Sequence, residues 1–428
     1  MASLNDSRPA EDATEIKPLG LVQCLGPGLI TGAADDDPSG ISTYSVAGAS
    51  LGYATLWTAL LSFPMMAAVQ LMCARLGMVT GRGLAGVIRG RYPRWVLWGA
   101  CLLLVVANLF NIGADLAGMA EVTGMVTISS VLWAPFYTAI IIALLFWTSY
   151  RTIARIFKWL TLVLFAYVAT AFLVKIDWAA ALRATFLPHL TLTRDFMTVL
   201  VGILGTTISP YLFFWQASQE VEVERAMGRS LRQRKGATDV ELANSRNDVV
   251  IGMLYSNLIM YFIILTTAAT LHAHGNTHVT SAKEAAEALR PLAGNAAYWL
   301  FSLGVIGTGM LGVPVLAGSC AYAITEAAAW RGSLDRKPAR ARRFYWVIGI
   351  AMIVGMGLDF SHVHPVIMLF WSAVVNGVLA PPLILLVVLL TSDPKVMGAR
   401  VNHPVVRWLG WLTFVAMLGA VAGMLFLG

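Results

Sequence analysis

The chain has 428 residues, of which 58% are hydrophobic and 12% charged, with a mean hydropathy of +0.71. Soluble domains are about 25% charged, so this composition excludes one and indicates an integral membrane protein. Its apolar runs are long and unalternating, which excludes a barrel, and the net charge of +7 needs no nucleic acid, because basic residues collect in cytoplasmic loops.

Residues 1–20 are polar, mixed in sign and without a signal-peptide pattern, and read as a cytoplasmic tail. Residues 21–428 read as a single transmembrane domain of eleven predicted spans. The first, about 21–50, is interrupted. Further spans follow at about 52–76, 95–125, 131–149 and 156–176. The sixth, about 195–217, is again interrupted. The remainder lie at about 248–271, 295–328, 343–358, 364–391 and 404–427. Short polar loops separate most of them.

Two loops have content of their own. Residues 218–247 are charged and read as a helical cytoplasmic linker. The loop 272–294 holds "SAKEAAEALRP", in which Ser281 and Glu284 make a capping box, Lys283 and Glu287 are an i,i+4 pair, and Pro291 follows the end. A short external helix is predicted there. His272, His274 and His278 lie nearby, but no carboxylate or cysteine completes a metal set, so they read as an ordinary loop. Cys24, Cys73, Cys101 and Cys320 all sit in apolar runs without a CxxC spacing and read as small buried side chains.

The basic residues orient the map. With the N-terminus inside, 25 of the 30 lysines and arginines fall on the cytoplasmic side. That bias predicts an inside N-terminus, an outside C-terminus and a cell-membrane location.

The two interruptions carry the function. Span 1 breaks at Asp37-Pro38-Ser39-Gly40, and span 6 at "GTTISPYLFF", where Pro210 follows Thr206, Thr207 and Ser209. Proline removes an N–H and clashes with the preceding turn, while glycine eases departure from helical dihedrals. The breaks are five spans apart, so the chain divides into two inverted sets of five, about 21–176 and 195–391, plus an extra helix at about 404–427. Broken helices at membrane depth survive only where the freed groups meet protein, water or an ion. An intramembrane carboxylate costs a few kcal/mol unless compensated, so Asp37 reads as functional.

A divalent cation supplies that compensation. The breaks offer Asp37, the backbone carbonyls of Ala34 and Thr206, and the hydroxyls of Ser39 and Ser209. No histidine lies within a span, and neither break contains cysteine or methionine. The site therefore reads as all oxygen, the set that hard cations prefer. Asn108, Asn111 and Asp115 share one face of span 3 and read as a water-lined or interhelical polar face. Asn376 in span 10 reads as able to reach the site, and Asn257 in span 7 less so. Asp36 reads as lining the vestibule around the ion, or as paired with a neighbouring span. Asp35 is open between the two, because successive helical residues point about 100° apart.

The chain resembles the NRAMP divalent metal transporters, which have the LeuT-type fold. The likeness covers nearly the whole sequence. "GPGLITGAADDDPSG" looks like the family's first helix, whose motif is Asp-Pro-Gly-Asn. "VQLMCARLGMVTGRGLA" is similar to its second, and "NSRNDVVIGMLYSNLIMYFIILTTAATLH" to its seventh. "GTTISPYLFF" stands where the sixth carries Met-Pro-His. The resemblance implies that Asp37 is the metal-binding aspartate. It places Gly40 at a liganding asparagine, Ser209 at the sulfur-bearing methionine, and Tyr211 and Gln216 at two histidines. Asp115 matches an aspartate of the proton pathway. Gly118 stands where a glutamate is expected, with Glu121 about a turn further on.

These departures remove the soft ligand that favours Mn²⁺ or Fe²⁺ and the groups that titrate near neutral pH. They match a branch of NRAMP-related magnesium transporters. The expected function is secondary transport of Mg²⁺, with Mn²⁺ also carried. The alternatives are a proton-coupled Mn²⁺/Fe²⁺ importer of the ordinary type, an organic-solute symporter of the same fold, and a non-transporting membrane receptor. The expected partners are the cation and the bilayer, with no cofactor and a monomeric chain. No HExxH, GxSxG or nucleophile–base pair suggests an enzyme.

Overall fold

A computed structural model describes residues 26–125, 132–148, 152, 155, 159–229, 236–359 and 364–427. The predicted cytoplasmic tail, Cys24 and the start of the first span lie outside these. Every regular element among the described residues is a helix. The first half comprises α1 (Pro27–Asp35), α2 (Pro38–Leu51), α3 (Trp57–Thr80), α4 (Leu84–Arg91), α5 (Arg94–Gly124), α6 (Trp133–Trp147), α7 (Phe165–Leu173) and α8 (Trp178–Phe186). The second comprises α9 (Arg194–Thr207), α10 (Pro210–Ala226), α11 (Asp239–Thr270), α12 (Ala282–Glu287), α13 (Arg290–Ala293), α14 (Ala297–Ala327), α15 (Arg342–Asp359) and α16 (Pro365–Ser392). A single turn, α17 (Pro394–Met397), leads to α18 (Pro404–Phe426). Among the described residues, seven segments are long and apolar enough to cross a membrane, and α6 and Thr161–Leu173 are shorter apolar helices. The protein is an integral membrane protein.

Helix ends follow local chemistry. Pro27, Pro38 and Pro210 each sit in the first helical turn, where a missing N–H costs nothing. Thr238 and Glu241 form a capping box that starts α11. That start revises the reading of 218–247 as a linker. α10 runs on to Ala226 and α11 begins at Asp239, so most of the stretch is the polar ends of two long helices. Hydropathy marks where a helix enters the membrane, not where it ends. The external helix is present, with the Ser281–Glu284 capping box formed. The expected Lys283–Glu287 pair is not. Glu287 instead pairs with Arg290 at 3.1 Å and accepts a hydrogen bond from the Tyr298 hydroxyl.

The core is built around α1. Gly28 and Gly32 lie so close to α11 that a Cβ at Gly32 would fall 2.1 Å from the Gly252 carbonyl oxygen. Reciprocally, a Cβ at Gly252 would fall 2.1 Å from the Gly28 carbonyl oxygen. Small residues let two backbones touch, which is how membrane helices associate without a hydrophobic drive. Asp248 completes the junction. Its carboxylate accepts from the N–H groups of Gly26, Gly28 and Leu29 at 2.8, 2.6 and 3.0 Å. Three of the free N–H groups at the start of α1 are thereby satisfied.

Candidate metal site

α1 ends at Asp35 and α2 begins at Pro38. Between them Asp36 leaves helical geometry (φ −84°, ψ 48°) and Asp37 is extended (φ −67°, ψ 172°). α9 ends at Thr207 and α10 starts at Pro210, with Ile208 and Ser209 between. The two discontinuities face each other. A Cβ at Gly40 would lie 3.1 Å from the Thr206 hydroxyl oxygen and 3.3 Å from the Asp35 carbonyl oxygen.

Asp37 is buried and caps α2, its Oδ1 accepting from the Gly40 N–H at 2.8 Å. This is the N-cap role of aspartate. Gly40 was expected among the metal ligands; here its backbone N–H holds the carboxylate. Oδ2 of Asp37 lies 3.3 Å from the Tyr211 hydroxyl, which donates to the Ala34 carbonyl at 3.0 Å. One hydroxyl thus joins two of the expected ligands across the two broken segments. Ser209 turns its hydroxyl back onto the end of α9, 2.6 Å from the Thr206 carbonyl and 3.0 Å from that of Gly205. Thr206 and Ser209 therefore meet each other, each oxygen keeping a lone pair free.

α14 forms another wall. A Cβ at Gly312 would lie 3.1 Å from the Asp37 Cβ. One turn earlier, a Cβ at Gly309 would meet the Met119 sulfur at 2.4 Å and the Pro38 ring at 3.3 Å. Sequence reading saw no sulfur at either break. The helix packing brings Met119 of α5 to the first one, four residues after Asp115. Asp115 is fully buried with neither carboxylate oxygen hydrogen-bonded. Asn111 and Asn376 are equally buried and their amides are also without partners. Asn108 behaves differently, donating to the Leu316 carbonyl at 2.8 Å and Ser319 at 3.2 Å, and ties α5 to α14. Asn257 donates to the Ala59 carbonyl at 2.8 Å and ties α11 to α3.

Two expected pathway residues lie elsewhere. Glu121 accepts from the Ala282 N–H at 2.9 Å, at the start of the external helix. Gln216 lies a turn and a half along α10 from Tyr211. Its carbonyl accepts from Thr31 at 2.6 Å, and its amide donates to Glu220 at 3.0 Å. Ser245 also donates to Glu220, at 2.9 Å. A buried polar chain thus links α1, α10 and α11 below the break. Ser39 is buried with its hydroxyl unpartnered. Among the described residues no three His, Cys, Asp or Glu side chains converge as a metal group. His272 instead meets the Ala49 carbonyl at 2.7 Å and His274 that of Thr270 at 2.5 Å.

Sequence reasoning missed Asp248, Met119 and Gly312. Asp248 had a signal: a carboxylate at the edge of an apolar run, with a Gly-Pro-Gly helix start elsewhere in need of acceptors. The others are visible only once helices are packed.

The chain matches the model of the Nramp family, described as natural resistance-associated macrophage protein-like, over residues 28–427. Its fold is similar to that of an Eremococcus coleocola manganese transporter bound to an aromatic bis-isothiourea compound. The two share 20% identity at a TM-score of 0.76, over 99% of this chain and 90% of that one. A nucleobase–cation symporter in a closed conformation is more distant, with 14% identity, a TM-score of 0.59, and 94% and 91% coverage. These likenesses show a helical transporter fold common to NRAMP and LeuT-type proteins. The chain belongs to the Nramp family of divalent metal transporters.

Proposed function

We propose that this protein is a secondary transporter that carries Mg²⁺, and less selectively Mn²⁺, by alternating access through an oxygen site between the two breaks. The topology in this reading is eleven spans, two inverted sets of five and an extra helix, with the N-terminus inside. Asp37 supplies the charge, and the Ala34 and Thr206 carbonyls and Ser209 supply neutral oxygens. Tyr211 spans Asp37 and Ala34.

The observation that carries the reading is the chemistry facing Asp37 from the second break. It consists of the Tyr211 hydroxyl at 3.3 Å and, beside it, a serine and backbone carbonyls, without thioether or imidazole. Hard ions take such donors, and Mg²⁺ keeps several waters of its own. One observation favours a second reading, ordinary Mn²⁺ transport: the Met119 sulfur beside Pro38 is a soft donor within the same wall.

Uptake by proteoliposomes separates the two. The magnesium reading expects Mg²⁺ uptake lost in Asp37→Ala, Mn²⁺ uptake competed away by excess Mg²⁺, and little change in Met119→Leu. Mn²⁺ uptake indifferent to excess Mg²⁺ and lost in Met119→Leu would establish the second.

A further inference from the structure

Asp35 and Asp36 are unused by the site at Asp37, and both are fully buried. In a continuous helix they would point about 100° apart. Because Asp36 turns out of the helix, both reach one hydroxyl on α11. Ser256 Oγ lies 2.7 Å from Asp35 Oδ2 and 3.1 Å from Asp36 Oδ1. A hydroxyl carries one hydrogen, so it can donate to only one of them at a time. The other contact sets oxygen against oxygen and needs either a proton on a carboxyl group or a cation between them.

None of the ion pairs among the described residues reaches either aspartate. The remaining oxygens, Asp35 Oδ1 and Asp36 Oδ2, have no hydrogen-bond partner. Independently, the Tyr44 hydroxyl is fully buried and unpartnered. Its ring edge lies 3.5 Å from the Cβ position of Gly40, on the side of the Asp35 carbonyl. Asp37 faces Tyr211 and α14, whereas the Asp35 and Asp36 carboxylates face Ser256 of α11, so the two sets lie on different sides of the break.

We infer that Asp35, Asp36 and Ser256, with Tyr44 beside them, form a second cation site next to the one at Asp37 and separate from it. Its donors are all oxygen, so it takes a hard metal ion, and two carboxylates neutralise a divalent one. The site rests on the metal-transport reading only for the class of ion. It explains a local feature that one ion site leaves over: the chain places three carboxylates where one would serve.

The test counts bound ions on the purified full-length protein with Mn²⁺ alone as the probe, using equilibrium dialysis and electron paramagnetic resonance. The wild type should hold about two ions per chain at saturation, with the spectral broadening of neighbouring spins. Ser256→Ala, a small change that leaves both carboxylates, and Asp35→Asn/Asp36→Asn should each reduce this to about one and remove the broadening. Asp37→Asn should also leave about one. A wild type that holds one ion, lost in Asp37→Asn and indifferent to Ser256→Ala, would overturn the second site while keeping the transport reading; a proton would then bridge the pair. A wild type that binds no Mn²⁺ would overturn both.

Discussion

The two breaks use the same device, a proline at the first turn of a resumed helix, and do opposite things with it. At the first, three buried carboxylates crowd into Asp35–Asp37, and two of their oxygens, one each on Asp35 and Asp36, are without partners. At the second, Thr206 and Ser209 are neutral and satisfy each other, and Tyr211 reaches across to Asp37. The first break holds the charge and the second shapes the neutral surface opposite it. Selectivity should therefore be tunable at the second without loss of binding, whereas the first tolerates little.

The largest expected effect is on the charged side. Asp37→Ala should reduce metal uptake in proteoliposomes to the level of empty vesicles, since Asp37 is the carboxylate that Tyr211 contacts. Residual uptake near wild type would break the comparison at its root. Asp248→Ala comes next. It strips the acceptor from three N–H groups at the start of α1, at about 1–3 kcal/mol for each group left buried and unsatisfied. The expected readout is a lowered Tm, with faster hydrogen exchange or cysteine labelling confined to α1. Gly32→Ala should cost about 1–3 kcal/mol, because its Cβ meets backbone 2.1 Å away and α1 must separate from α11.

On the neutral side the effects are smaller and differ in kind. Ser209→Met should leave transport in place and move preference toward Mn²⁺ over Mg²⁺, measured by competition, because a thioether would then face Asp37. Ser209→Ala should weaken apparent affinity by about 1 kcal/mol, a factor of about 5, because only one neutral donor is lost. A collapse of uptake in Ser209→Ala would show that the second break carries more of the binding than its hydrogen bonds suggest.

The fold was legible because apolar runs and prolines are local signals. The helix stops at Asp35 and Thr207 follow from Pro38 and Pro210, each three residues later. The carboxylate at Asp37 was legible because a charge at membrane depth stands out against its neighbours. What lay beyond reach depended on packing. Gly40 looked like a vacant ligand position, yet its N–H is the group that orients Asp37. Gln216 and Glu121 sit on the right helices, but turned toward Thr31 and toward the external helix. Ser256 is one serine among many in an apolar run. Its meaning appears only when α11 lies against α1, where Gly28, Gly32 and Gly252 remove the side chains that would hold the helices apart. Adjacent aspartates diverge in a continuous helix; Asp35 and Asp36 converge on Ser256 because the backbone has already unwound at Asp36.

The central claim is that an oxygen-lined site built on Asp37 moves a hard divalent cation. The most direct measurement is uptake of Mg²⁺ and Mn²⁺, side by side, by proteoliposomes holding wild type or Asp37→Ala. The account predicts uptake of both ions by the wild type, Mn²⁺ uptake suppressed by excess Mg²⁺, and neither ion carried by the variant. Mn²⁺ uptake unaffected by excess Mg²⁺, or equal uptake with and without Asp37, would contradict it.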